Sequence, residues 1–139
     1  MALDLWALLA CVIIFAIAIG WQGLHLDWYG GIAHGLSSRD TPPPGIEQTI
    51  APRLNRMVRN HVEGLATFTP LVVVAHGADI QTGAMGIAAL AYAATRAVYT
   101  LAYPLGWTPW RSIIWISGAV ALVVYTGSLV LAALQAEIA

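Results

Sequence analysis

Hydrophobic residues along the chain fall into four long runs, which are separated by polar or proline-containing segments. A helix needs about 20 residues to cross ~30 Å of hydrocarbon, and each run is about that long. The pattern predicts four spans, over 3–20, 52–78, 82–103 and 109–134. Thr108 is the predicted N-cap of the last span. The expected fold is therefore an all-α integral membrane protein, with one four-helix transmembrane domain over 1–139.

The segments between the spans predict how the helices are connected. Residues 21–51 are polar and contain the proline run 42–44, which indicates one long irregular loop. The next two connections are short and favour antiparallel neighbours among the second, third and fourth spans. Arginines flank the first and third loops only. The positive-inside rule therefore predicts that loops one and three are cytoplasmic and that both termini lie outside the cell membrane.

Composition excludes a soluble domain. The sequence is 59% hydrophobic and 9% charged, whereas soluble domains carry about 25% charged residues. All six basic residues are arginine, which favours bidentate recognition of anions. The net charge of −1 gives no basic field for a nucleic acid, so none is expected as a partner. The four histidines are scattered and predict no metal site.

Charged residues inside the second span break the apolar pattern. Arg56, Asn60 and Glu63 share one helical face at i, i+4 and i+7. Arg59 borders that face and can pair with Glu63. Charged groups inside a membrane usually have a function, although a structural ion-pair network would also explain these.

The third and fourth spans carry further polar groups at the same predicted depth. The third span has a stripe with helical spacing, formed by Tyr92, Arg96, Tyr99 and Tyr103. The fourth begins with Arg111 and Ser112, and Trp115 follows one turn later. Together with the second span these residues predict a positive cleft near the cytoplasmic boundary, which suits an anionic ligand. Arg111 at a helix N-terminus would favour the thiolate form of a bound thiol, through free N–H groups and the helix dipole.

Structural roles remain open for the same residues. The tyrosines can be interface and packing residues, and Trp115 is typical of an interfacial anchor. Arg96 and Arg111 can extend to the lipid headgroups. The residues alone do not decide between ligand binding and structural pairing.

The order and spacing of these residues resemble the MAPEG superfamily, the membrane-associated proteins in eicosanoid and glutathione metabolism. The second-helix match is Arg56-x-x-Arg59-Asn60-x-x-Glu63, followed by Phe68 and Pro70. The third-helix match is Arg96-x-x-Tyr99-x-x-x-Tyr103, and Arg111-Ser112 resembles the start of the fourth helix. The resemblance covers nearly the whole chain and is greatest to the small bacterial branch. Trp115 stands where some members have tyrosine.

This resemblance implies a homotrimer that binds glutathione as a co-substrate between subunits. The implied glutathione-binding residues are Arg56, Arg59, Asn60, Glu63, Arg96, Tyr99 and Tyr103, with Arg39 as a loop contact. Arg111 would activate the thiol, with Ser112 assisting. The implied activity is a transferase or peroxidase reaction on a hydrophobic electrophile that arrives from the membrane lipid. The alternative is a non-catalytic binder of lipid or another lipophilic ligand, since one family member, the five-lipoxygenase-activating protein, binds lipid without catalysis.

Overall fold

A computed structural model describes residues 1–138, and these form four long α-helices. The helices are α1 (Leu3–Gly35), α2 (Ala51–Gly77), α3 (Gly83–Ala102) and α4 (Trp110–Ile138), with a short 3-10 helix, Ile46–Gln48, before α2. The predicted all-helical fold is confirmed. By length and composition, α1, α3 and α4 are apolar enough to cross a membrane. Helix α2, which carries half of the arginines, does not meet that criterion.

The first helix is longer than predicted. It continues past Gly20 to Gly35 and changes direction at Gly31, whose φ of 76° and ψ of 168° are not helical. The prediction of an irregular loop was therefore wrong for residues 21–35. At 1.5 Å per residue, the part of α1 before Gly31 already extends over about 42 Å, beyond the ~30 Å that the hydrocarbon requires.

Polar contacts explain why this extension is helical without an apolar run. Nε2 of Gln22 donates a hydrogen bond to Oδ1 of Asn55, at 2.7 Å. Asp27 forms an ion pair with Arg39, at 2.9 Å. The loop over 36–50 and the start of α2 thus lie along the extension, and polar side chains of α1 find partners on both.

The predicted helix starts differ in how well they agree with the structure. Thr82 caps α3, because its hydroxyl oxygen accepts a hydrogen bond from the backbone N–H of Met85 at 3.2 Å. The predicted cap at Thr108 was wrong. Its hydroxyl instead donates to the carbonyl of Gly106, at 3.0 Å, and α4 begins two residues later. The loop before α4 is therefore stabilised by its own turn and not by a helix cap.

Helix α3 packs closely against both α1 and α4, and α1 also packs against α2. The prediction of neighbouring helices was right for α3 and α4 but wrong for α2 and α3, between which there are few close backbone contacts. Residues buried on α1 and α3 are mostly small, and they include Ala7, Cys11, Ala18, Gly86, Ala88, Ala89 and Ala93. Small residues allow helix backbones to approach each other closely, so α1 occupies the place beside α3 that was expected for α2.

Large side chains fill the space between the diagonal helices α2 and α3. The rings of Phe68 and Tyr92 lie 5.0 Å apart, and Phe68 also makes an edge contact with Tyr125 of α4 at 5.7 Å. Nearer the start of α2, Nε2 of His61 lies 2.9 Å from the hydroxyl of Thr100. Because α2 and α4 touch only sparsely, a groove remains open between them, with α3 as its floor.

A buried carboxylate ties three helices together at the other end of the bundle. Asp4 is 4% exposed. It accepts hydrogen bonds from the hydroxyl of Tyr125, at 2.9 Å, and from the backbone N–H of Leu5. Nε2 of His76 lies 3.1 Å from Oδ1, the oxygen that also accepts from Leu5, whereas Tyr125 donates to Oδ2. This cluster links α1, α2 and α4 about 30 Å along α2 from Arg56.

Candidate functional site

The groove between α2 and α4 contains two hollows. The inner hollow, of about 140 Å³, is lined by Asn60, Glu63, Gly64, Thr67, Tyr92, Arg96, Trp115, Ala119 and Leu122. The outer hollow, of about 330 Å³, is lined by Asn60, Tyr99, Tyr103, Arg111, Ser112, Trp115 and Ile116. Most of the residues singled out from the sequence therefore line one continuous groove.

A hydrogen bond between side chains of α2 and α4 separates the two hollows. Nε1–H of Trp115 donates to Oδ1 of Asn60 at 2.8 Å, and both residues line both hollows. Sequence reasoning assigned Trp115 to the membrane interface and missed this contact. The available signal was its position four residues after Arg111, which places both side chains on the same face of α4.

Tyr103 connects the arginines of α2 and α4 at the outer hollow. Its hydroxyl accepts a hydrogen bond from Nε of Arg56 at 3.1 Å. The guanidinium of Arg111 lies over its ring, 5.3 Å from the centroid, within the range of a cation–π interaction. Tyr99 packs against the same ring at 5.1 Å. Two positive groups from different helices thus flank one tyrosine.

The start of α4 differs from the prediction in one respect that matters for anion binding. Free N–H groups were expected beside Arg111. The structure instead pairs the N–H of Arg111 with the carbonyl of Trp107 at 2.9 Å, and the N–H of Ser112 with the carbonyl of Pro109 at 3.0 Å. The preceding loop folds under the helix and uses these donors. An anion at the outer hollow would therefore be bound by the guanidinium of Arg111 rather than by its backbone.

Arg96 is the most deeply buried charged residue of the groove. It is 4% exposed, and its guanidinium lies 5.1 Å from the ring centroids of both Tyr92 and Tyr99. Within residues 1–138, its buried Nε has no hydrogen-bond partner and no carboxylate forms an ion pair with it. Gly118 makes room for it, since a Cβ at that position would lie 2.6 Å from Nη2 of Arg96.

The other predicted site residues lie at the rim or outside the groove. Glu63 lines the inner hollow and pairs with Arg59 at 3.4 Å, and the two side chains are 62% and 81% exposed. Arg39 is not brought to the groove. It pairs with Asp27 and lines a separate hollow of about 560 Å³ between α1, the first loop and the start of α2.

These features define the protein as a helical membrane protein with a cationic groove between α2 and α4. The family model for the MAPEG family matches residues 2–131. The chain therefore belongs to the MAPEG family, which confirms the resemblance found in the sequence. Comparisons with curated proteins and with solved structures gave no match. Family membership supports a membrane role related to glutathione or eicosanoid metabolism in general.

Proposed function

We propose that the protein is a glutathione-dependent membrane enzyme, a transferase or peroxidase that acts on a hydrophobic electrophile. The observation that supports it is Tyr103 in the outer hollow, which accepts a hydrogen bond from Arg56 of α2 and lies beneath the guanidinium of Arg111 of α4. Glutathione presents two carboxylates, an ammonium group and a thiol. Arginine forks are suited to carboxylates, and a guanidinium beside sulfur favours the nucleophilic thiolate.

Each groove residue has a chemical role in this proposal. Seven residues would bind the glutathione backbone and its charged ends: Arg56, Arg59, Asn60, Glu63, Arg96, Tyr99 and Tyr103. Among them, Glu63 would bind the ammonium group. Arg111 would stabilise the thiolate, and the Ser112 hydroxyl would donate a hydrogen bond to the sulfur. In conjugation, the sulfur forms a bond to an electrophilic carbon while the leaving group departs with its electron pair. In peroxide reduction, the thiolate attacks one peroxide oxygen, the O–O bond breaks, and the other oxygen leaves and is protonated to the alcohol. The sulfenic acid of glutathione then reacts with a second glutathione to give the disulfide and water.

We also propose that α2 crosses the membrane as the fourth span and that the protein is a homotrimer. Arg59 and Glu63 are exposed on a single chain, and charged side chains that face lipid are costly. A neighbouring subunit against the α2–α4 groove would cover them. Loops one and three would then be cytoplasmic, where glutathione is available, with the termini outside the cell membrane. Arg39 would contact the ligand only from a neighbouring subunit.

The experiment that tests the function measures glutathione binding by calorimetry in mild detergent, together with the ultraviolet absorbance of the thiolate. Arg111→Ala should abolish the thiolate absorbance and the conjugation of a model electrophile while the protein still folds. The matched control is Arg53→Ala, which removes an arginine of α2 that contacts Pro104 and does not line either hollow. Unchanged turnover in Arg111→Ala would refute the mechanism.

A second function is supported by a different observation. An apolar hollow of about 600 Å³ lies on the outer side of α3 and α4, and it is lined by Val98, Trp107, Trp110 and Ile114. Such a surface suits a lipophilic ligand, and a non-catalytic lipid binder would need no thiolate. In that case, added glutathione would give no thiolate absorbance, and lipid would be recovered with the purified protein.

A further inference from the structure

The hollow between α1, the first loop and the start of α2 lies outside the α2–α4 groove. Its volume of about 560 Å³ is within the ~300–1,000 Å³ that small-molecule sites occupy. Ile19, Leu26 and Ile46 are apolar members of its lining, and Arg39 and Glu47 are charged members. None of the residues that line the two groove hollows also lines this one. It is therefore a separate feature of the molecule.

The position of this hollow along α1 places it at the surface of the membrane. At 1.5 Å per residue, Ile19 lies about 24 Å and Leu26 about 34 Å from the start of α1 at Leu3. Helix α1 is apolar enough to cross a membrane, and the hydrocarbon layer is ~30 Å thick. The hollow therefore extends from the edge of the hydrocarbon to the level of the lipid headgroups.

Arg39 is held in one orientation beside the hollow, although its side chain is 43% exposed. Nε and Nη2 both donate to the carbonyl of Gly35, at 3.3 and 3.1 Å, and Nη2 also donates to Asp27 at 2.9 Å. The backbone of Arg39 has a φ of 59°, a left-handed conformation that residues other than glycine rarely adopt. None of these hydrogen bonds uses Nη1. The guanidinium is thus fixed in place with one nitrogen available to an anion.

Glu47 supplies the opposite charge. It is exposed in the 3-10 helix Ile46–Gln48, and it forms no ion pair within residues 1–138. A phosphate is well suited to a guanidinium, and a primary ammonium, with three N–H donors, is suited to a carboxylate. A headgroup with an anionic group only would bring a second negative charge towards Glu47. The lining therefore favours a ligand that carries a phosphate and an ammonium together.

We propose that this hollow binds a phospholipid with a zwitterionic headgroup and a primary ammonium, phosphatidylethanolamine. The phosphate would accept a hydrogen bond from Nη1 of Arg39, and the ammonium would donate to Glu47. An acyl chain would extend past Ile19 into the membrane. The bound lipid would join α1, the first loop and α2. This site does not rest on the proposed glutathione function, in which Glu47 has no role.

The experiment measures lipid binding by calorimetry with the full-length protein in mild detergent. The lipid probes are dioctanoyl phosphatidylethanolamine, dioctanoyl phosphatidylcholine, whose quaternary ammonium has no N–H donor, and dioctanoyl phosphatidylglycerol, which has no cation. Glycerophosphoethanolamine carries the same headgroup without acyl chains. The variants are Arg39→Gln and Glu47→Gln. Their matched controls are Arg53→Gln and Glu137→Gln, at positions that do not line the hollow.

The wild type and both controls should bind phosphatidylethanolamine about tenfold more tightly than the other two lipids, as for one hydrogen bond between charged groups. Glu47→Gln should remove this preference, because it weakens the binding of phosphatidylethanolamine and leaves that of phosphatidylcholine unchanged. Arg39→Gln should weaken the binding of both lipids about tenfold, since both carry the phosphate. Glycerophosphoethanolamine should bind more weakly than the lipid, and equal affinity would overturn a lipid as the ligand.

Equal affinity of the wild type for phosphatidylethanolamine and phosphatidylcholine would overturn the proposal, and so would an unchanged preference in Glu47→Gln. If Arg39→Gln does not fold because its ion pair with Asp27 is lost, Glu47→Gln decides. Glutathione binding by Glu47→Gln should equal that of the wild type. If the wild type shows the lipid preference and no glutathione binding, the proposed function fails while the lipid site stands.

Discussion

The indole N–H of Trp115 donates a hydrogen bond to the side-chain carbonyl of Asn60 over 2.8 Å. It joins α2 and α4 where their backbones make few contacts. The bond orients the Asn60 amide, so that its NH₂ group remains free for a ligand while its oxygen is used. A tryptophan that could be taken for a membrane anchor is therefore part of the groove wall.

Trp115→Phe should weaken glutathione binding by about fivefold. Phenylalanine keeps an aromatic ring on α4 but loses the donor, which corresponds to the ~1 kcal/mol of an average hydrogen bond. Calorimetry with Trp110→Phe as the control separates this effect from the general loss of an indole, since Trp110 lines neither groove hollow. Wild-type affinity in Trp115→Phe would show that the bridge does not position Asn60 for the ligand.

Tyr103→Phe isolates the hydroxyl that accepts from Arg56. The ring beneath Arg111 is retained, so the cation–π contact persists. We expect about fivefold weaker glutathione binding, from the loss of one hydrogen bond of ~1 kcal/mol, with unchanged thiolate absorbance per bound glutathione. Tyr29→Phe is the control, because the only hydrogen bond of the Tyr29 hydroxyl within residues 1–138 is the one it donates to the carbonyl of Pro44, in the first loop. A fall in thiolate absorbance would instead show that the Tyr103 hydroxyl interacts with the glutathione sulfur.

Asp4→Asn should destabilise the bundle. The carboxylate accepts from Tyr125 and lies beside His76, and an amide can accept with only one of its two terminal atoms. Leaving a buried donor without an acceptor costs about 1–3 kcal/mol, so the midpoint of thermal unfolding in detergent should fall. Glu137→Gln, at an exposed position near the end of α4, should leave the midpoint unchanged. Equal midpoints for the two variants would rule out a structural role for the Asp4 cluster.

Gly64→Ala should also lower the unfolding midpoint. A Cβ on Gly64 would collide with the hydroxyl of Tyr92, and overpacking of this kind costs about 1–3 kcal/mol. Gly127→Ala is the control, because the same substitution there places a Cβ that meets nothing within 4 Å. A second variant, Gly64→Ala with Tyr92→Phe, should recover part of the loss, because the atom that causes the collision is removed. If the double variant recovers none of the lost stability, the strain does not come from the Tyr92 hydroxyl.

Local signals in the sequence predicted most of the helix boundaries. Proline near the start of α2 and threonine before α3 act within one turn, so the sequence neighbours alone determine these starts. The extension of α1 could not be predicted in this way. Its polar side chains are matched by groups from residues 36–55, such as Arg39 and Asn55, which are distant in sequence.

Helical spacing predicted which residues of the site share a face, but not which residues meet across helices. Arg56, Asn60 and Glu63 were identified as one face, and this face does border the groove. The contact of Trp115 with Asn60 depends on α2 and α4 facing each other across the groove, and the approach of Arg96 to Gly118 depends on the close packing of α3 against α4. This arrangement follows from small residues on α1 and α3, whose effect on packing is visible only when all helices are considered together.

The weak hydropathy of α2 has a consequence for how the protein is made. If α2 crosses the bilayer, its charged first half gives the insertion machinery too little apolar length to retain it as an isolated segment. Its membrane insertion should then depend on α1, the helix against which it packs most closely. A chain truncated from the C-terminal side after α2 should still have α1 and α2 inserted together in the membrane. When α2 instead follows an unrelated polar leader, it should be translocated across the membrane without being retained in it.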